Sequence, residues 1–127
     1  MNRHILYIGI GTNLPGAEKV LLWTQRKLAE AFRGQARYST PVQTAPVDFP
    51  FPCVFTNQLA VIETTVPLIV VRSLLKSIER QLGRNEEDVS RGIVKLDLDL
   101  LCADGQVLRP DDWERDYFRS ARQELEE

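Results

Sequence analysis

Cysteine is scarce in this chain and follows no pattern. Of 127 residues only Cys53 and Cys102 are cysteine, both in apolar surroundings, without CxxC spacing and without a nearby histidine. The two are therefore read as reduced, structural thiols. The chain also lacks any apolar run of about 18 residues, the length a membrane-spanning helix needs, so no membrane partner is expected. The apolar start through Ile5 and Leu6 breaks at Gly9, Gly11 and Asn13, too early for a signal peptide, so the expected location is the cytoplasm. There is no excess of positive charge: the net charge of −2 argues against non-specific nucleic-acid binding. No internal repeat or low-complexity segment is present. Gly9-Ile10-Gly11 lacks the third glycine of a dinucleotide fingerprint, Leu14 standing in its place.

What remains is an ordinary globular composition, 43% hydrophobic and 27% charged, of a length that fits one domain with one core. We expect a single domain over residues 1–127, with its core at about 4–103 and a short variable extension at 104–127. Charge is unevenly spread: residues 104–127 carry 4 basic and 8 acidic side chains, the rest 12 and 10. An anion-binding surface therefore belongs to the first part.

The most informative stretch is Leu96-Asp97-Leu98-Asp99-Leu100-Leu101. Side chains alternate faces along a strand, so the leucines enter a core while Asp97 and Asp99 share the other face. Paired carboxylates of this kind suit Mg²⁺, whose remaining positions are filled by water and substrate phosphates, and they point to phosphoryl or pyrophosphoryl transfer. The same spacing also describes a strand whose polar face happens to carry two aspartates.

Around this strand the pattern predicts a strand at 4–10, an amphipathic helix at 17–32 and a second strand at 36–39. A long proline-rich loop follows, then a strand at 54–65 and a helix from Pro67 to about Leu82, closed by Gly83. Residues 84–92 read as a charged loop, and the stretch after Asp104-Gly105 shows little apolar periodicity. The order is β-α-β-β-α-β. It predicts an α+β, ferredoxin-like fold with two helices on one face of an antiparallel sheet and the other face free for a site.

Several separated motifs together resemble the hydroxymethyl-dihydropterin pyrophosphokinase family. Gly11-Thr12-Asn13-Leu14 is similar to its Gly-Ser-Asn-Leu, and Ser39-Thr40-Pro41-Val42 to the approach to its Thr-Pro-Pro. Phe55-Thr56-Asn57, Glu63-Thr64, the run Ile78-Glu79-Arg80-Gln81-Leu82-Gly83-Arg84, and Asp97 to Leu101 follow in the family's order, and the likeness spans about residues 5–118.

The resemblance implies transfer of pyrophosphate from ATP to 6-hydroxymethyl-dihydropterin in folate biosynthesis, with small molecules as partners and the oligomeric state left open. Asp97 and Asp99 would hold two Mg²⁺ ions on the ATP phosphates and the pterin hydroxymethyl oxygen. Asn57 would hydrogen-bond the pterin edge, since an amide offers a donor and an acceptor. Phe55 would stack on the ring, and Thr40 and the segment Pro41 to Gln43 would line the same pocket. Arg84 would meet phosphates, with Glu79, Arg91 and Arg115 on the nucleotide side and Tyr117 against the pterin. Each has a plain alternative: Asn57 as an edge or bulge residue, although a polar amide there costs stability unless paired, Phe55 as a core residue, and Glu79 with Arg84 as a solvated pair near a helix end.

The chain departs from the family on the ATP side. Before the two aspartates the family reads Arg-Trp-Gly-Pro-Arg-x-Ile, and this chain reads Ser90-Arg91-Gly92-Ile93-Val94-Lys95-Leu96. Val94 thus occupies the catalytic arginine position. Lys95, by strand parity on the face of Asp97 and Asp99, either contacts phosphate or neutralises the two carboxylates. Asn85-Glu86-Glu87-Asp88 is acidic where the family is commonly basic, Asp111 replaces a histidine, and the family continues beyond Glu127. The alternatives are a diverged homologue that binds a pterin-like ligand or a protein partner without turnover, and an interaction domain that uses the open sheet face.

Overall fold

In the computed structural model, which describes residues 2–46, 49–83 and 86–126, the apolar alternation of the chain builds one antiparallel sheet. Its long strands are β1 (His4–Thr12), β4 (Phe55–Thr64) and β5 (Asp97–Ala103), joined by the short strands β2 (Ala36–Tyr38), β3 (Val42–Thr44) and β6 (Gln106–Val107). The order is β2-β4-β1-β5-β6, with β3 also on β4, and every pairing is antiparallel.

Helices α1 (Ala17–Phe32) and α2 (Leu68–Gln81) cover one face. Leu21, Leu28 and Phe32 from α1 and Val71, Leu75 and Ile78 from α2 pack on Leu6, Ile8, Ile10, Ala60, Ile62, Leu98 and Leu100. Each partner set follows its own period, 3.6 in the helices and 2 in the strands, so the core is fixed by spacing alone. Among the described residues no helix is long and apolar enough to cross a membrane.

Three segments differ from the sequence expectation. The proline-rich loop contains β3, which pairs with the start of β4, and the charged loop contains a short helix, α3 (Glu86–Ser90). The stretch after Asp104 forms α4 (Pro110–Trp113) and α5 (Asp116–Glu126). Phe118, Ala121 and Leu125 on α5 lie on the sheet face opposite α1 and α2, against Leu59, Val61 and Leu101. That face is therefore only partly open. The spacing 118, 121, 125 is helical, but it is carried by three apolar residues among many charges, and a pattern so thin is visible only once the sheet is there to receive it.

Gly9 shows the fit. A Cβ there would lie 2.8 Å from Phe118 Cζ, so the bare backbone is what lets α5 seat on the sheet. Trp113 from α4 completes the layer, edge-on to Tyr7 at 5.2 Å and beneath the Arg122 guanidinium at 3.8 Å.

Candidate active site

Register brings the two aspartates and Asn57 together. Gly11 on β1 faces Asn57 on one side and Asp97 on the other, and Gly9 faces Leu59 and Asp99. Parity thus places Asn57, Gly11, Asp97 and Asp99 on one face, the face α5 covers only in part. Gly11 has no side chain to rise between its neighbours, and a cleft of about 260 Å³ opens above it, lined among others by Thr44, Phe49, Phe55, Asn57, Asp97, Asp112, Arg115 and Tyr117.

Two further cavities adjoin the aspartates. One of about 250 Å³ shares Phe49, Val94 and Asp97 with the first and adds Glu79, Asp88 and Lys95. The other, of about 310 Å³, lies at the free edge of β5 and brings Arg72, Lys76 and Arg109 around Asp99, with apolar walls from Leu75 and Leu108. Asp97 opens onto the first two, Asp99 onto the third.

The carboxylates perturb one another. Burial first, and then the charge of Asp97, push the Asp99 carboxyl up to about 6, with a hydrogen bond between the two side chains acting in the same direction and Arg109 opposing. Sharing a proton is what crowded carboxylates do when no cation sits between them. The pair consists of hard oxygen donors, and a divalent ion would relieve the repulsion that raises the Asp99 carboxyl, so the residues fit Mg²⁺. Among the described residues no group of three acidic, histidine or cysteine side chains converges as a ready-made metal cage.

The other predicted residues are placed by the elements that carry them. The Asn57 amide donates to Thr44 Oγ1 at 2.7 Å, and Phe55 meets Phe49 edge-on at 5.3 Å. Tyr117 packs on Phe118 at 4.7 Å, and burial pushes its phenol up. Glu79 is buried and its Oε2 accepts from the Leu98 amide at 2.7 Å, tying α2 to β5.

Thr40, Pro41 and Gln43 do not line the cleft above Gly11. The Thr40 amide and hydroxyl both donate to Glu124, at 2.9 and 3.1 Å, beside a shallow crevice shared with Asn57 and Tyr117. Pro41 is exposed. Gln43 pairs with Thr56, which by parity sets it on the face opposite Asn57. Arg91 is exposed in the turn after α3, and Arg84 lies outside the described residues.

Lys95 does not follow strand parity, because it stands in a bend before β5 begins. Its ammonium donates to the Gly83 carbonyl at 2.7 Å and pairs with Asp88 at 3.4 Å. The cation that reaches Asp99 is Arg109, at 3.5 Å. Arg109 also donates to Asp112 at 2.8 Å, and Arg115 stands 3.9 Å from the same carboxylate. The sequence reading missed Asp112, Thr44 and Arg109. A signal for two of them existed in the 109, 112, 115 spacing of alternating charge across a Pro-initiated helix, where positions three apart meet.

Asn13 fixes the segment between α3 and β5. Its amide donates to the Gly92 carbonyl and its oxygen accepts from the Val94 amide, both at 2.8 Å, while its own backbone amide donates to Val94 at 3.0 Å. One side chain thus positions the wall shared by the first two cavities.

With this geometry in view, comparison with known proteins is decisive at family level. The sequence model of the 7,8-dihydro-6-hydroxymethylpterin-pyrophosphokinase family matches residues 7–127. The chain belongs to this family. No curated protein sequence matches it. Membership in the pyrophosphokinase family carries with it a family-level place in folate biosynthesis.

Proposed function

We propose that this ferredoxin-like protein acts in the cytoplasm as a Mg²⁺-dependent pyrophosphokinase that transfers pyrophosphate from ATP to 6-hydroxymethyl-dihydropterin. The observation that carries the reading is the register Asn57–Gly11–Asp97: an amide and a carboxylate on either side of a bare backbone floor. The pterin lies above Gly11, its edge on Asn57 and its ring between the aromatic side chains of Phe55 and Tyr117, which directs the hydroxymethyl oxygen to Asp97. Asp97 and Asp99 would hold the divalent ions. When bound, these neutralise the phosphate charge that would otherwise resist attack.

The nucleotide approaches along the Asp99 side, where Arg72, Lys76 and Arg109 give three cations and Leu75 and Leu108 an apolar wall. Catalysis is then positioning and charge stabilisation by groups fixed on β5, α2 and the start of α4, with no covalent step for the protein. Arg115 and Asp112 close the side facing the pterin.

One observation favours a second reading, ligand binding without turnover. Val94 places an apolar side chain in the wall common to both cavities, and Lys95 is engaged by Asp88 and Gly83. Removal of one charged contact to a transferring phosphoryl group costs about 10²–10³ in rate.

The test is AMP formation from ATP and Mg²⁺ with and without hydroxymethyl-dihydropterin, with the Asp97→Ala/Asp99→Ala double variant as control. Pterin-dependent AMP that disappears in the double variant establishes the enzyme. No AMP above that control from folded protein, with pterin still quenching tyrosine or tryptophan emission, establishes the binding protein.

A further inference from the structure

The three cations at the edge of β5 are not equivalent. Arg72 and Lys76 sit on α2 and are exposed, whereas Arg109 stands at the N-terminus of α4 and spans two carboxylates, Asp99 at 3.5 Å and Asp112 at 2.8 Å. Its side chain is half exposed, so it has room to move without repacking a core. The contact to Asp99 is the longer of the two and does not meet hydrogen-bond distance. Arg109 is therefore anchored on Asp112 and leans on Asp99.

A divalent ion on Asp99 and a guanidinium beside the same carboxylate repel each other. A metal on Asp99 therefore weakens the 3.5 Å contact to Arg109. Asp112 holds the Nε edge of the guanidinium and Asp99 meets only its Nη1 end, so a pivot of the whole group about the Asp112 contact carries Nη1 away from Asp99. The cavity beside it is lined by Arg72 and Lys76 and, among the described residues, by no acidic side chain apart from Asp99. An anion placed there meets three cations.

We infer that Arg109 is a displaceable counter-ion: it neutralises Asp99 before metal arrives, and on metal binding it swings about its Asp112 anchor to bind a nucleotide phosphate in the cavity with Arg72 and Lys76. Metal arrival is thereby coupled to nucleotide capture through one side chain. This rests on the proposed role of Asp97 and Asp99 as metal ligands. Arg109 acts here as a positioning residue that becomes a phosphate contact.

The two halves of the exchange predict effects of opposite sign, which a merely structural arginine does not produce. Mn²⁺ alone, followed by water-proton relaxation, should bind Arg109→Met about 3- to 10-fold more tightly than the parent, because a competing cation is gone. The non-hydrolysable analogue α,β-methylene-ATP, titrated with saturating Mn²⁺, should bind Arg109→Met about 10-fold more weakly. Arg109→Lys keeps the charge and should restore most of the metal competition but only part of the nucleotide affinity, since it loses the fork.

Mn²⁺ and nucleotide affinities that fall together, or that both stay unchanged, in folded Arg109→Met overturn the inference. Asp99→Asn separates this from the underlying reading. If Mn²⁺ binding survives Asp99→Asn undiminished, the metal-ligand role of the pair is wrong and the inference falls with it. If Asp99→Asn abolishes Mn²⁺ binding but Arg109→Met leaves it unmoved, the metal site stands and only the counter-ion role is overturned.

Discussion

Asn57 and Asp97 stand on opposite sides of Gly11, in register across β1 and on the same face of the sheet. The cleft above them exists because the residue between them has no side chain. A Cβ at Gly11 would lie 3.4 Å from Asn57 Oδ1, an ordinary contact, so a side chain there fits the strand but fills the floor. Gly11→Val should fold with a melting temperature within a few degrees of the parent, a β-branched residue suiting a strand, and should lose at least 10-fold in affinity for hydroxymethyl-dihydropterin. Emission quenching and thermal melts check both halves; a variant that binds the pterin normally removes this cleft from consideration.

Gly9, two residues earlier, gives the contrasting case. There the added Cβ would meet Phe118 Cζ at 2.8 Å and Leu101 Cδ1 at 3.3 Å. Gly9→Ala should therefore cost about 1–3 kcal/mol through overpacking between β1 and α5, seen as a lower denaturation midpoint in urea. An unchanged midpoint would mean that α5 does not rest on the sheet as described.

How much of this was legible in the sequence follows from where each signal lives. The sheet and its two large helices were readable because Leu6, Ile8 and Ile10, or Val71, Leu75 and Ile78, carry their period within one segment. The pairing of Asp97 with Asp99 was readable for the same reason. The placement of Lys95 was not: parity holds only within a strand, and the chain bends one residue before Leu96. Asp112, Arg115 and Tyr117 reach the cleft because Phe118 and Trp113 dock on residues more than a hundred positions earlier or on distant strands. A long-range contact of that kind leaves almost no trace in local spacing, and the family resemblance rather than periodicity pointed to Arg115 and Tyr117.

Asn13 makes three hydrogen bonds to residues 92–94. Two use its side chain, and replacement leaves the Val94 amide and the Gly92 carbonyl without that partner. Asn13→Ala should lose about 1–3 kcal/mol and loosen the wall shared by two cavities, so that nucleotide and pterin affinities fall together. Parallel titrations of both ligands check it; loss of one affinity alone would show that the segment does not serve both cavities.

The Thr40 amide and hydroxyl converge on Glu124 of α5, while Arg37 donates to the Leu125 carbonyl one residue on. The group is exposed, so the net contribution to global stability is small, about 0.5–1.5 kcal/mol. Its effect should be local. In Glu124→Ala the Thr40 amide should exchange with solvent at least 10-fold faster while core amides on β1 and β4 keep their rates, and Glu124→Gln should retain part of the protection. Uniform acceleration across the sheet would instead mean that Glu124 holds the whole fold.

Asp99 carries the clearest pH dependence. Its carboxyl is raised from its ordinary 3.8 to about 6, by burial first and by Asp97 second. The folded protein therefore holds this proton more tightly than the unfolded chain, and the folded state binds more protons between about pH 4 and 6. Stability falls as pH rises through that window and stays reduced above it. Replacing the carboxylate by an amide removes the cost. Asp99→Asn should be more stable than the parent at pH 8 by on the order of 1–2 kcal/mol, the full shift being discounted for the exposed part of the side chain and for the proton shared with Asp97. At pH 4, where the parent carboxyl is already protonated, the two should coincide. Mg²⁺ should raise the parent's melting temperature at pH 8, with little effect at pH 4 and little on Asp99→Asn at either pH. A variant less stable than the parent at pH 8, or offset equally at both values, would show that Arg109 and not the neighbouring carboxylate dominates the field at Asp99.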